Sequence, residues 1–114
     1  MPQTYKIDYL EFPSTDGENT RRFLGEAFGW QFTSYGPSYF GIDTAGIDAG
    51  VDAGADRTQT PLAVIRTEDL ELAERDVVAA GGVITRAAYD FPGGRRFHFR
   101  APGGFELAVW IEKA

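Results

Sequence analysis

The side chains best suited to chemistry in this 114-residue chain are Tyr9, Glu11, Tyr39, Asp43, His98, Arg100 and Trp110. His98 is the sole histidine, and an unperturbed imidazole titrates near ~6.5, where it can serve as a general base. The competing reading is a surface or hydrogen-bonded histidine on a short hairpin, because nothing in the sequence fixes a partner to orient it. Glu11 also has two readings. Buried beside Tyr9, it would have a raised pKa and could move protons. Partly exposed, it would pair with Arg66 or Arg100. Glu11 and His98 are thus the candidates for acid–base work, with no catalytic role assigned. Tyr9, Tyr39 and Trp110 offer ring surface to a flat ligand, while Glu11, Asp43, His98 and Arg100 offer polar groups to orient it. Trp30, directly after a helix stop, reads instead as a core or dimer-interface residue.

Composition removes several classes. There is no cysteine, so no disulfide, thiolate nucleophile or thiolate metal site exists. The net charge of −6 comes from acidic and basic residues mixed along the chain, which argues against long-range attraction to nucleic acid. One basic stretch, Arg95-Arg96 with His98 and Arg100, alternates with Phe97 and Phe99. Salt bridges or an anionic ligand group suit it better than stacking on nucleic acid. The PGG segments lack the following helix and Lys of a phosphate-binding loop. No run of about 18 apolar residues is present, so no membrane span is expected. MPQTYKIDYL does not read as a signal peptide, and a cytoplasmic location is expected.

Strands and helices must hold these residues in place. Tyr5–Phe12 alternates as a strand, with Leu10 and Phe12 for a helix-packed face and Tyr9 and Glu11 opposite. Pro13 is expected to stop its ladder. A helix follows from about Gly17 to Phe28, capped by Ser14, Thr15 or Asp16 and stopped by Gly29. Thr20, Phe23, Leu24, Ala27 and Phe28 form its apolar stripe. Trp30–Tyr35, Ser38–Asp43 and Ile47–Val51 read as strands, with a hairpin turn at Ala45-Gly46. After the polar stretch DAGADRTQT come a strand at Pro61–Arg66 and a helix from about Glu68 to Ala80, striped by Leu70, Ala73, Val77 and Ala80. Strands at Val83–Ala87, Arg95–Arg100 and Phe105–Glu112 complete the chain. Phe97, Phe99, Leu107, Val109 and Ile111 suit the helix-packed face. Arg96, His98, Arg100, Glu106, Ala108 and Trp110 fall on the other.

The order βαβββ occurs twice. Setting Tyr9 on Leu62, an offset of 62 − 9 = 53, also aligns Asp16 with Asp69, Glu18 with Glu71, Arg22 with Arg75 and Gly29 with Gly82. Later the register shifts, and Gly46 falls on Gly104. The expected architecture is α+β. One domain spans residues 1–114, with module one at about 5–52, a linker at about 53–60 and module two at about 61–114.

Three stretches carry a resemblance: PSTD after the first strand, the helix end FLGEAFGW, and the hairpin APGGFELAVW. On them the chain resembles the vicinal oxygen chelate superfamily, also called the glyoxalase/bleomycin resistance protein/dioxygenase group. Ala101, Gly103 and Phe105 depart from the Asp-Pro-Asp-Gly-Asn turn usual there. The resemblance implies two βαβββ modules curved around a cleft, commonly in a homodimer. It places the metal ligands of the family's enzymes at Tyr9, about Gly50, Leu62 and Ala108. Gly, Leu and Ala offer no side-chain donor and a neutral Tyr is a poor one, so no metal and no cofactor are expected. A slip of one residue exposes Asp52 or Glu106 without completing a set. The expected function is binding or sequestering a small aromatic or amphipathic molecule. The alternatives are a lyase, isomerase or dioxygenase of the same superfamily, with a displaced metal site or metal-free acid–base chemistry, and a non-catalytic accessory module.

Overall fold

Asp16 and Asp69 start the two helices in the same way. Each carboxylate accepts the backbone N–H three residues on, from Asn19 and Leu72, both at 3.1 Å. These bonds satisfy donors that a helix leaves orphaned. The first helix, α1, is Gly17–Phe28 and ends on Gly29 in the left-handed conformation, φ 69°. The second, α2, is Leu70–Ala79. Around them the computed structural model, which describes residues 4–114, places eight strands. They are β1 (Lys6–Pro13), β2 (Phe32–Ser34), β3 (Tyr39–Ile42), β4 (Ala49–Asp52), β5 (Leu62–Arg66), β6 (Val83–Phe91), β7 (Gly94–Arg100) and β8 (Glu106–Glu112).

The chain divides into two compact units: Tyr9–Leu62, and Ala63–Ala114 together with the described residues up to Asp8. In the first, the strands run β2-β3-β4-β1, with β1 parallel to β4. In the second they run β6-β7-β8-β5, with β5 parallel to β8. Each βαβββ module thus returns its last strand alongside its first. Register makes the equivalence residue-specific. Glu11 pairs with Gly50 in one unit and Val64 with Ala108 in the other. The offsets are 64 − 11 = 53 early and 108 − 50 = 58 late, the same shift that sets Gly46 on Gly104.

Alternation puts the apolar faces where the pattern requires. In the first unit Phe40, Ile42, Ala49 and Val51 form a buried cluster joined by Leu10, Phe12, Leu24, Trp30 and Phe32. In the second, Leu70, Ala73, Phe97, Phe99 and Val109 are joined by Ile65, Val77, Leu107 and Ile111. Trp30 therefore lies with core residues.

Some expectations need correction. Pro13 ends β1 from inside, paired with Asp52, and the next ladder-type bond comes from Ser14 N–H to Asp52 O. The strand beginning at Trp30 is only Phe32–Ser34, and Ile47 and Asp48 precede β4 instead of opening it. The β3–β4 connection is accordingly longer than an Ala45-Gly46 hairpin. β6 runs on to Phe91, past the expected end at Ala87. The α1 stripe is narrower than its sequence implies: Phe23 and Phe28 are 61% and 58% exposed, and Leu24 reaches the core. Phe23 and Phe28 stay on the α1 surface because the helix meets the core cluster along the ridge that carries Leu24.

Candidate functional site

The first polar group sits on the sheet face opposite α1. Tyr9 and Glu11 alternate onto that face of β1, and Tyr39 reaches it from the start of β3. Tyr39 donates its O–H to Glu11 Oε2 at 2.9 Å. Its one proton being used, Tyr39 Oη accepts from Tyr9 at 2.5 Å. Glu11 is only 3% exposed. Burial holds the Tyr39 phenol far above its ordinary value, and the neighbouring Glu11 and Tyr9 push the same way. Tyr39 is thus a permanent donor at any physiological pH.

Beneath these hydroxyls lies Gly50. A Cβ there would meet the Tyr9 and Tyr39 hydroxyls inside contact distance. Gly41, its cross-strand partner, is covered by the Tyr35 ring, 2.9 Å from where a Cβ would stand. Two adjacent glycines thus make room for tyrosine side chains lying on the sheet.

The second polar group sits on β6, β7 and β8, again opposite the helix. His98 is 2% exposed. Its Nδ1 lies 3.0 Å from Glu106 Oε2, and its Nε2 lies 2.9 Å from the Tyr89 hydroxyl. A carboxylate only accepts, so Nδ1 carries the proton and Nε2 accepts the Tyr89 O–H. Arg96 Nε–H donates to Tyr89 Oη at 2.5 Å, and the Arg86 guanidinium lies 3.8 Å from the Tyr89 ring centroid. Thr85 adds an O–H to Glu106 Oε2 at 3.1 Å. Burial pushes His98 below its ordinary value. Arg96 and Arg86 act in the same direction, and the bond to Glu106 opposes them. The orienting partner missing from the sequence reading is Glu106, with Tyr89 on the other nitrogen.

The remaining expected residues are placed separately. Trp110 Nε1–H donates to Asp8 Oδ1 at 2.8 Å, and its ring has Arg66 at 5.3 Å and Phe91 at 6.2 Å. Arg66 also pairs with Glu112 at 3.0 Å. Asp43 is exposed, just beyond β3, and accepts from the Thr33 hydroxyl at 2.7 Å. Arg100 is exposed and pairs in register with Glu106. The structure therefore brings together Tyr9, Glu11 and Tyr39, while His98 joins Tyr89, Glu106 and Arg96. Sequence reasoning missed Tyr89, Arg86 and Asp8. Same-face alternation on β8 was the available signal for Glu106. Each unit also has a concavity on its helix side. One, of about 660 Å³, is lined by Glu71, Glu74, Arg75, Arg95 and Phe97 among others; the other, about 430 Å³, lies along α1. None of the seven expected residues lines either.

The metal of the family's enzymes does not fit these residues. Gly50 has no side chain, and its space is filled by two phenol oxygens. Leu62 and Ala108 are fully buried and carry no donor atom. Among the described residues no three His, Asp or Glu side chains gather to hold an ion. No described helix is long and apolar enough to cross a membrane.

A scan against protein-family models finds no match, and neither does a search of curated proteins. Solved structures do match. A glyoxalase/bleomycin resistance protein/dioxygenase superfamily member from Vibrio splendidus 12B01 superposes with a TM-score of 0.73 at 14% identity, covering 97% of this chain and 100% of that one. A structure described as an NAD-dependent benzaldehyde dehydrogenase from Legionella pneumophila gives 0.76 at 12% identity, covering 98% and 100%. The Mn(II)-bound glyoxalase from Novosphingobium aromaticivorans gives 0.68 at 17% identity, covering 93% of this chain and 38% of that one. This chain spans well under half of that glyoxalase. The activities printed for these proteins differ, so the likeness selects no chemistry. It does select an architecture: the chain has the fold of the glyoxalase/bleomycin resistance protein/dioxygenase, or vicinal oxygen chelate, superfamily.

Proposed function

We propose that this protein binds or sequesters a small aromatic or amphipathic molecule and does so without the metal of its enzymatic relatives in fold. The observation that carries the reading is Gly50, where the room for a ligating side chain is taken by the hydroxyls of Tyr9 and Tyr39. In this reading each unit offers its own contacts: ring surface from Tyr9 and Tyr39 with polar orientation from Glu11 and Asp43 in one, ring surface from Trp110 with polar orientation from His98 and Arg100 in the other. The working form in this reading is a cytoplasmic homodimer with a small-molecule ligand and no nucleic-acid partner.

Two measurements test it together. Metal analysis of the purified protein is expected to find no stoichiometric divalent ion. A thermal-shift panel of metabolites and antibiotics is expected to contain aromatic amphiphiles that stabilise the fold, by about 2.7 kcal/mol at 100 times Kd. Tyr9→Ala or Trp110→Ala should abolish that stabilisation. Stoichiometric metal, or ligand affinity unchanged in both variants, sinks the reading.

The oriented His98–Glu106 pair supports a second reading, a metal-free lyase or isomerase working by acid–base chemistry. Substrate turnover that disappears in His98→Gln while ligand affinity persists would favour it over sequestration.

A further inference from the structure

In its neutral Nδ1–H form His98 has both ring nitrogens hydrogen-bonded, and the Tyr89 proton has its acceptor as well. Neutral and protonated at Nδ1, it donates to Glu106 of β8 and accepts from Tyr89 of β6, whose oxygen in turn accepts from Arg96 of β7. A second proton on the ring changes this order. Nε2–H would then point at an oxygen already receiving the Arg96 N–H, and the Tyr89 proton would lose its acceptor. The charges facing the ring make the new state worse. Arg96 and Arg86 are cationic, and Glu106 is the carboxylate that opposes them. The element on the far side of that bond is also the least regular in its unit. β6 ends the order β5-β8-β7-β6, and its ladder to β7 shifts register between Ile84 and Arg86 and again between Arg86 and Tyr89. A terminal strand with two irregularities relies more on side-chain anchors than a regular one does.

We propose that His98 is a proton-operated latch on β6: neutral, it holds Tyr89 and the irregular stretch 85–90 against β7; charged, it releases them. The latch stands independently of the ligand-binding reading. Its direction follows from burial. The folded-state pKa is lowered, so below about 6.5 the open or unfolded chain takes the proton first and the closed arrangement loses stability as pH falls.

Because the chain has a single histidine, one imidazole signal reports the latch without assignment. Nitrogen NMR of histidine-labelled protein at neutral pH is expected to show a protonated Nδ1 and a lone pair on Nε2, with a titration midpoint below that of free histidine. Hydrogen-exchange protection of amides 85–90, taken relative to intrinsic rates, is expected to fall at least tenfold through the same midpoint while the stretch is still less protected than β8, which opens only with the whole unit. In Tyr89→Phe the anchoring O–H is gone, so the neutral-pH protection of 85–90 should drop and its pH dependence vanish. An Nε2–H tautomer, an imidazolium at neutral pH, or protection that ignores the titration overturns the proposal. Should Tyr89→Phe fail to fold, the wild-type titration and exchange decide alone.

Discussion

Gly50 shows what a single residue decides. A methyl group there would press on two hydroxyls held by each other and by Glu11. Gly50→Ala is therefore expected to cost about 1–3 kcal/mol, read as a lowered urea midpoint at constant m-value. Tyr39→Phe removes the donor to a buried carboxylate and should cost a similar ~1–3 kcal/mol. In the double variant one of the two hydroxyls is gone and the Tyr9 hydroxyl, released from its bond to Tyr39, can shift from the methyl, so the combined loss should fall partly short of the sum; strict additivity would show that the contact is not the cause. Alternation along β1 and β7 was enough to place Tyr9, Glu11 and His98 away from the helices. It could not show that Tyr39 Oη would reach Glu11, or that Tyr89 would reach His98. Those contacts depend on the register of neighbouring strands, and between β6 and β7 two irregularities break the count.

At the scale of elements, caps and alternation were legible and strand lengths were not. The limits of α1 at Gly17 and Phe28 follow from Asp16 and Gly29, side-chain and backbone signals that act locally. Asp69 does the same for α2, and Asp69→Ala should lower stability by about 1 kcal/mol in urea denaturation while leaving the sheet spectrum intact. The anchor beneath α2 is Phe97, fully buried among Leu70, Ala73 and Val109. Phe97→Ala should cost about 3–5 kcal/mol, and a loss under 1 kcal/mol would contradict the packing described. β6 outran its expected end because Tyr89, Asp90 and Phe91 pair with Arg96, Arg95 and Gly94, a hairpin that tertiary pairing sustains through polar residues. The exposure of Phe23 and Phe28 was equally invisible, since a stripe on a helix does not state how wide its sheet is.

At the scale of the whole chain, the doubled βαβββ order was readable because caps and strand order recur, at an offset of 53 residues early and 58 late. The chemistry was less readable, because the side chains at a few sheet positions can differ among proteins of this fold without disturbing that order. Global stability should carry the mark of the one buried imidazole. Between neutral pH and about pH 5 it is expected to decline in the wild type and to flatten in His98→Gln, as urea midpoints across pH would show. A midpoint series identical in both proteins would remove His98 as the cause. The tyrosines over Gly50 also have a historical consequence. A donor side chain introduced at 50 collides with them, and trimming either tyrosine first removes one donor from the hydroxyl chain that ends on Glu11. Each single step is costly, and the cost of the second depends on whether the first has been made. A donor placed at 50 would thus need compensating changes at the tyrosines, in a suitable order, before it could reach an ion.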